Sequence, residues 1–175
     1  MSQLKALRGF NDIIFKQGQD FQIVIDAAAE AAKLYGYQIG HFPILESTNV
    51  FQRSLGESSD VVSKEMYSFL DRNEESLTMR PEFTAVIARS IISNGLYNQL
   101  PFKFFSYGPL FRYERPQRGR FRQFHQLNFE NFSLNPRACD IDIILVINNL
   151  MQSLKVADKV TLEINNLGCD ITRNV

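Results

Sequence analysis

The chain has 175 residues with 19 Lys and Arg against 19 Asp and Glu, a formal net charge of zero, which argues against a protein that coats nucleic acid by bulk charge. A content of 45% hydrophobic residues with fifteen phenylalanines excludes an intrinsically disordered chain, and no apolar run approaches the ~20 residues of a membrane span. Two histidines, with Cys139 and Cys169 far apart in sequence, form no CxxC or HExxH pattern, so no protein-held metal is expected.

DFQIVIDAAAEAAKLY (20–35) places Phe21, Val24, Ile25, Ala28, Ala31, Ala32 and Tyr35 at helical spacing, and Gly36 suits the position just past a helix end. YQIGHFPIL (37–45) predicts a strand ending near Pro43. Glu46 to Lys64, rich in Ser, Asn and Gly, reads mainly as loop. MYSFL (66–70) and SLTM (76–79) predict two strands across the polar turn DRNEE. A helix is expected from Pro81 to about Ser93, with the proline at its first position and Asn94-Gly95 at its exit. FKFFSYGPLFRYE (102–114) and FRQFHQLNFENF (121–132) predict two long strands joined by RPQRGR. A further helix is expected from about Arg137 to Leu154 on a stripe of Ile141, Ile144, Leu145 and Met151, and VTLEI (160–164) as a last strand. Helices with hairpin-linked strands indicate an α+β fold in one domain, a mainly antiparallel sheet flanked by helices. The cysteines read as reduced thiols, and the opening MSQLKALRGFND is too polar for a secretory signal, so the expected location is cytoplasmic with no membrane partner.

Charge is concentrated in one place. From Arg112 to Arg122 five arginines stand against one glutamate. Strand alternation puts Phe124, Gln126, Asn128 and Glu130 on one face with Ser106, Gly108, Arg112 and Glu114. Phe105, Tyr107, Phe111, Tyr113, His125, Leu127 and Phe129 fall on the other. One face is expected to pack on helices, the other to line a cleft. The arginines are either a solvated turn paired with acids elsewhere or a site for a compact polyanion such as a triphosphate, whose oxygens suit guanidinium forks. In the second case an aromatic on that face can stack on a base, and Glu114 can accept from an exocyclic amino group. No Walker A or GxGxxG sequence supplies the usual phosphate cradle. In TMRPEFTAV (78–86), Glu82 falls in the first helical turn. There it either caps the helix or, with Thr84, binds the ammonium of an amino acid.

Together these stretches resemble the catalytic core of class II aminoacyl-tRNA synthetases, specifically the histidyl-tRNA synthetase family. LRGFND (7–12) is similar to that family's N-terminal signature, and the Gln19–Leu45 helix and strand to motif 1, the dimer-forming element. GESSDVVSKEMYSFLDR (56–72) and LTMRPEFTA (77–85) are similar to its loop and amino-acid-binding segment. FRYERPQRGRFRQFHQLNFE (111–130) resembles motif 2 nearly residue for residue. The resemblance implies the class II fold, truncated: residues 1–175 correspond to the N-terminal portion of the catalytic domain, with motif 3 and the anticodon-binding domain absent.

The activity it implies is histidine–tRNA ligation: ATP and Mg2+ activate L-histidine to histidyl-adenylate, which is transferred to tRNA(His) by a cytoplasmic homodimer. By the same resemblance Arg112 binds the α-phosphate and is the catalytic group, Glu114 reads adenine, Arg120 reaches the outer phosphates and Phe124 stacks on adenine. Glu82 and Thr84 hold histidine's α-amino group, with Gln126 and Glu130 completing that side. Two positions depart from the family pattern, Phe83 and Asn128, where glycine is common. Phe83 is expected either to join a helix stripe with Val86, Ile87 and Ile91 or to turn inward and narrow the histidine pocket. A fragment of this extent is expected to adenylate poorly by itself. The alternative is the regulatory subunit of ATP phosphoribosyltransferase, which senses histidine without charging RNA; RPQRGRFRQFHQ fits the ligase better.

Overall fold

The computed structural model describes residues 4–55, 65–133 and 136–165. Phe15–Leu34 form α1, whose buried stripe is Ile25, Ala28, Ala31 and Ala32; three alanines on that face let the helix lie close to the layer beneath. Gly36, at φ +76°, ends it in the left-handed conformation that glycine adopts without strain.

The strand expected over 37–45 is two short strands in different sheets, β1 (Gln38–Ile39) and β2 (Leu45–Ser47). Pro43 lacks a ladder donor. The intervening bend is held from outside: Gly40 N donates to Phe105 O at 2.9 Å, and Arg80 Nη1 donates to Phe42 O at 2.7 Å. The segment expected as loop from Glu46 holds β2 and then a helix, α2 (Thr48–Leu55). Its polar composition hid one fully buried anchor, Phe51. The rest of that loop, residues 56–64, lies outside the described residues.

β3 (Tyr67–Leu70) and β4 (Ser76–Met79) form the expected hairpin, and β2 pairs with the other edge of β4. Asp71 Oδ1 shapes the turn by accepting from Asn73 N and Glu75 N at 2.8 and 2.9 Å. A chain of hydroxyls runs across this sheet: Thr48 to Ser76 at 2.7 Å, Thr48 to Thr78 at 2.9 Å, and Ser68 to Thr78 at 2.7 Å.

α3 (Thr84–Ser93) begins three residues after Pro81 rather than at it. Glu82 Oε1 accepts from Ala85 N at 2.8 Å, and Pro81 O accepts from Arg112 Nε at 3.0 Å, so the proline serves the neighbouring hairpin. The exit at Asn94 and Gly95 is as expected.

β5 (Phe102–Phe111) and β6 (Gln123–Phe132) pair antiparallel from Phe102↔Phe132 to Phe111↔Gln123. Both stop short of the expected ends at Glu114 and Phe121. The reason lies in their backbone donors. Arg122 N and Gln123 N both turn to Gly9 O, at 2.8 and 3.1 Å, and Tyr113 N turns to Glu65 O at 2.7 Å. β1 adds to β5 in parallel. The described residues are thus α+β, with two three-stranded sheets, β1-β5-β6 and β2-β4-β3, in place of the single sheet expected.

α4 (Pro136–Ser153) buries Val146 and Leu150. Of the expected stripe only Met151 packs against this core; Ile141, Ile144 and Leu145 are exposed, so the docked side is rotated from the one expected. The side that docks meets the alanines of α1 and Phe105. VTLEI forms no strand, and Val160, Leu162 and Ile164 are exposed.

α1 and α4 cover Phe105, Tyr107, Leu127 and Phe129 on one face of the first sheet. On the other, α3 covers Phe104, Leu110, Phe124 and Phe132 through Phe83, Ile87 and Ile91. The face expected to be a polar cleft is therefore apolar at its ends and polar between them, at Ser106, Gln126, Asn128 and Glu130. Among the described residues no helix is long and apolar enough to cross a membrane.

Candidate functional site

Three segments meet at the N-terminus of α3. From the hairpin base, Arg112 donates from Nε to Pro81 O, and its guanidinium carbon lies 5.3 Å from the Phe124 ring centroid. Among the described residues its two Nη groups have no hydrogen-bond partner, so the outer edge of the fork is open. From β6, Glu130 Oε1 accepts from Thr84 Oγ1, the first residue of α3. Between them Glu82 uses one carboxylate oxygen to cap Ala85 N. Glu82 thus caps α3 from outside it, standing two residues before Thr84 and not in the first helical turn expected of it.

Gln126 sits on β6 opposite Gly108, and Asn128 opposite Ser106. The structure thus brings Arg112, Phe124, Glu130, Glu82 and Thr84 around one helix end, while Gln126 is exposed on the same face of β6. Glu114 and Arg120 pair with each other at the hairpin mouth, Nη1 to Oε2 at 3.3 Å. The Arg120 side chain is 66% exposed, and an exposed pair of this kind contributes only ~0–1 kcal/mol, so either group is readily released to a ligand. Phe83 joins the core with Ile87, Ile91 and Leu110, and Val86 packs elsewhere with Phe51.

Arg80, in the stretch TMRPEFTAV just ahead of α3, also belongs to this region. It is 3% exposed and lies under the site. Its Nε donates to Pro109 O at 3.1 Å, Nη1 to Phe42 O and Pro43 O at 2.7 and 3.3 Å, and its guanidinium stacks 4.3 Å from the Phe83 centroid. Burial pushes its pKa below the usual value; the carbonyls that replace its water keep it charged. Gly108, at φ +144°, lies against it, and a Cβ there would meet Arg80 Nη2 at 2.8 Å.

The N-terminal stretch LRGFND acquires a physical role as well. Gly9 O takes the two amides at the start of β6. Phe10, Tyr67 and Tyr113 form an edge-to-face ladder ending on Arg122, 3.9 Å from the Tyr113 centroid. A separate cavity of about 580 Å³ lies toward α1, lined by residues including Asp12, Asp20, Phe21 and His125, and shares Phe124 with the site.

Residues 67–170 match the tRNA synthetase class II core domain (G, H, P, S and T). The chain belongs to the class II tRNA synthetase core family. It is 50% identical over 172 residues to the histidine–tRNA ligase of Rickettsia bellii, covering 98% of this chain and 41% of that relative. Against the Rickettsia felis enzyme it is 49% identical over 173 residues, covering 99% and 42%. The chain therefore spans about two fifths of these curated relatives. Apo histidyl-tRNA synthetase of S. aureus superposes with TM-score 0.71 at 30% identity, over 86% of this chain and 35% of that one. A Bacillus halodurans structure described as an ATP phosphoribosyltransferase regulatory subunit/histidyl-tRNA synthetase shares this class II fold, with TM-score 0.72 at 22% identity over 85% and 37% of the two chains.

Proposed function

We propose that this chain carries the ATP- and histidine-binding half of a histidine–tRNA ligase, acting in the cytoplasm as a homodimer through motif 1. The observation that supports it best is the convergence at α3. Arg112 is tied to Pro81, and Glu130 to Thr84, so the phosphate-binding hairpin and the amino-acid segment meet at one point.

In this reading Arg112, anchored through Nε, presents its Nη edge to the α-phosphate, and Phe124 and Glu114 take the adenine. Arg120 leaves Glu114 for the outer phosphates. Glu82, Thr84, Gln126 and Glu130 hold L-histidine, with Phe83 as a wall behind them. The histidine carboxylate attacks the α-phosphorus, pyrophosphate leaves, and Arg112 stabilises charge on the nonbridging oxygens. A preorganised donor of this kind contributes several kcal/mol. A terminal ribose hydroxyl of tRNA(His) then attacks the acyl carbon and releases AMP.

Magnesium, when bound, would neutralise triphosphate oxygens that the arginines leave unpaired. The histidine-sensing subunit remains the second reading, and the dense RPQRGR loop favours the ligase.

Calorimetric titration of the 175-residue chain with L-histidine tests the assignment. Thr84→Ala and Glu130→Gln are each expected to weaken binding about 10-fold, the effect of losing a hydrogen bond to a charged group. Unchanged affinity in both variants contradicts it.

A further inference from the structure

The cavity of about 580 Å³ beside Phe124 takes no part in the chemistry proposed above. It lies between residues 11–13, the first turns of α1 and the start of β6. Its walls are of two kinds. Phe21 and His125, packed edge-on at 4.8 Å, and Phe121, 41% exposed, present aromatic surface. Asn11, Gln17 and Gln123 add amide side chains and Asp12 a carboxylate. Among the described residues none of these four side chains has a hydrogen-bond or ion-pair partner. Asp20, the other acid of the lining, pairs with Lys16 at 3.0 Å.

This mixture narrows the occupant. A purely apolar body would take water from the amides and the carboxylate and return no hydrogen bond, which is unfavourable. An organic cation would suit Asp12. However, Phe121 directly follows the loop RPQRGR, whose Arg115 and Arg118 are exposed and unpaired among the described residues and would repel it. A neutral heteroaromatic ring carried on a negatively charged strand meets both conditions. Unstacked bases of single-stranded RNA are held in this way, the ring on aromatic side chains and its edge on polar ones.

We infer that this cavity is a pocket for one base of a single-stranded RNA segment whose phosphates run along Arg115 and Arg118. The base carries an exocyclic amino group beside a ring acceptor nitrogen, as cytosine and adenine do. Asp12 accepts from the amino group, and an amide of Gln17 or Gln123 donates to the ring nitrogen. This rests on the reading that the chain's macromolecular partner is an RNA, and not on the histidine or ATP contacts.

Fluorescence anisotropy of the 175-residue chain tests it with two labelled RNA backbones of equal length, one abasic throughout and one bearing a single central cytosine. The cytosine is expected to tighten binding about 10-fold, the effect of one base stacked on aromatic side chains. Phe121→Ala and, at the exposed start of α1, Gln17→Ala are each expected to cut that advantage to about 3-fold or less. Neither should change the affinity for the abasic strand or for L-histidine. Arg118→Gln should weaken both strands alike. Equal affinity of the wild type for the two strands overturns the inference, as does an undiminished advantage in both Phe121→Ala and Gln17→Ala. So does free cytidine that binds as tightly as the cytosine strand. Sedimentation showing a dimer that Phe121→Ala abolishes would make the cavity a contact between copies and overturn it too. If neither strand binds, the RNA reading itself falls, whatever the chain does with histidine.

Discussion

Arg80 does with carbonyls what most buried cations do with carboxylates. Its acceptors come from Phe42, Pro43 and Pro109, three residues distant from it in sequence, which is why a lone arginine at a strand end gave no signal of its role. The site side chains of β6 were readable because strand alternation needs only a parity, and Gln126, Asn128 and Glu130 keep theirs. Sequence alone does not decide between core and pocket wall for Phe83, whose ring is buried with Ile87 and Leu110 while lying beside Gly108. His125 offers a prediction at this scale. Its ring packs edge-on to Phe21 at 4.8 Å, and burial lowers its pKa below 6.5. The folded state thus releases a proton that the unfolded state keeps. The associated stability is present above about pH 6.5 and is lost as pH falls through the depressed value. His125→Phe, which keeps a ring against Phe21, should lose less Tm than the wild type between pH 7 and pH 5 in thermal melts. Parallel pH profiles for the two proteins would refute this.

At the scale of elements, hydrophobic period placed α1, the 67–79 hairpin and the β5–β6 pair, each to within a few residues. It failed where ends are decided by distant partners. The hairpin strands end early because Gly9 O and Glu65 O take their last amides. The α4 face was misjudged because that helix is apolar on more than one side, and only contact with α1 and Phe105 selects Val146 and Leu150. Two substitutions probe these joints. Gly9 has φ +87°, and a Cβ there would meet the Arg122 stem at 2.8 Å. Gly9→Ala should therefore destabilise the chain by about 1–3 kcal/mol in urea unfolding and speed amide exchange at Arg122 and Gln123; unchanged exchange would remove Gly9 from its clamping role. Thr78, fully buried, bonds both Thr48 and Ser68. Thr78→Val leaves both without that partner and should cost about 1–3 kcal/mol, measured the same way; a variant as stable as the wild type would show that the hydroxyl chain contributes nothing.

At the scale of the whole molecule, the class was legible and its division was not. Helix and strand periods indicate α+β, but one stretch, 37–45, feeds two sheets, and nothing local to it distinguishes a continuous strand from one bent by an arginine thirty-five or more residues away. That bend joins the sheets and brings the α3 terminus against the basic hairpin. The charge surplus seen in the sequence then has a place, though only Arg112 of the five arginines is fixed to the core of the site; Arg120 and Arg122 are held by Glu114, through its carboxylate and its carbonyl.

The central claim is that Arg112 holds the α-phosphate of ATP. It is tested most directly by calorimetric ATP affinity of the 175-residue chain, comparing wild type, Arg112→Gln and Arg118→Gln. The account predicts at least a ~10-fold loss for Arg112→Gln, as for a charged hydrogen bond, and less than ~3-fold for Arg118→Gln at the exposed turn, where screening leaves a small effect. Equal losses in the two variants, or wild-type affinity in Arg112→Gln, would contradict it.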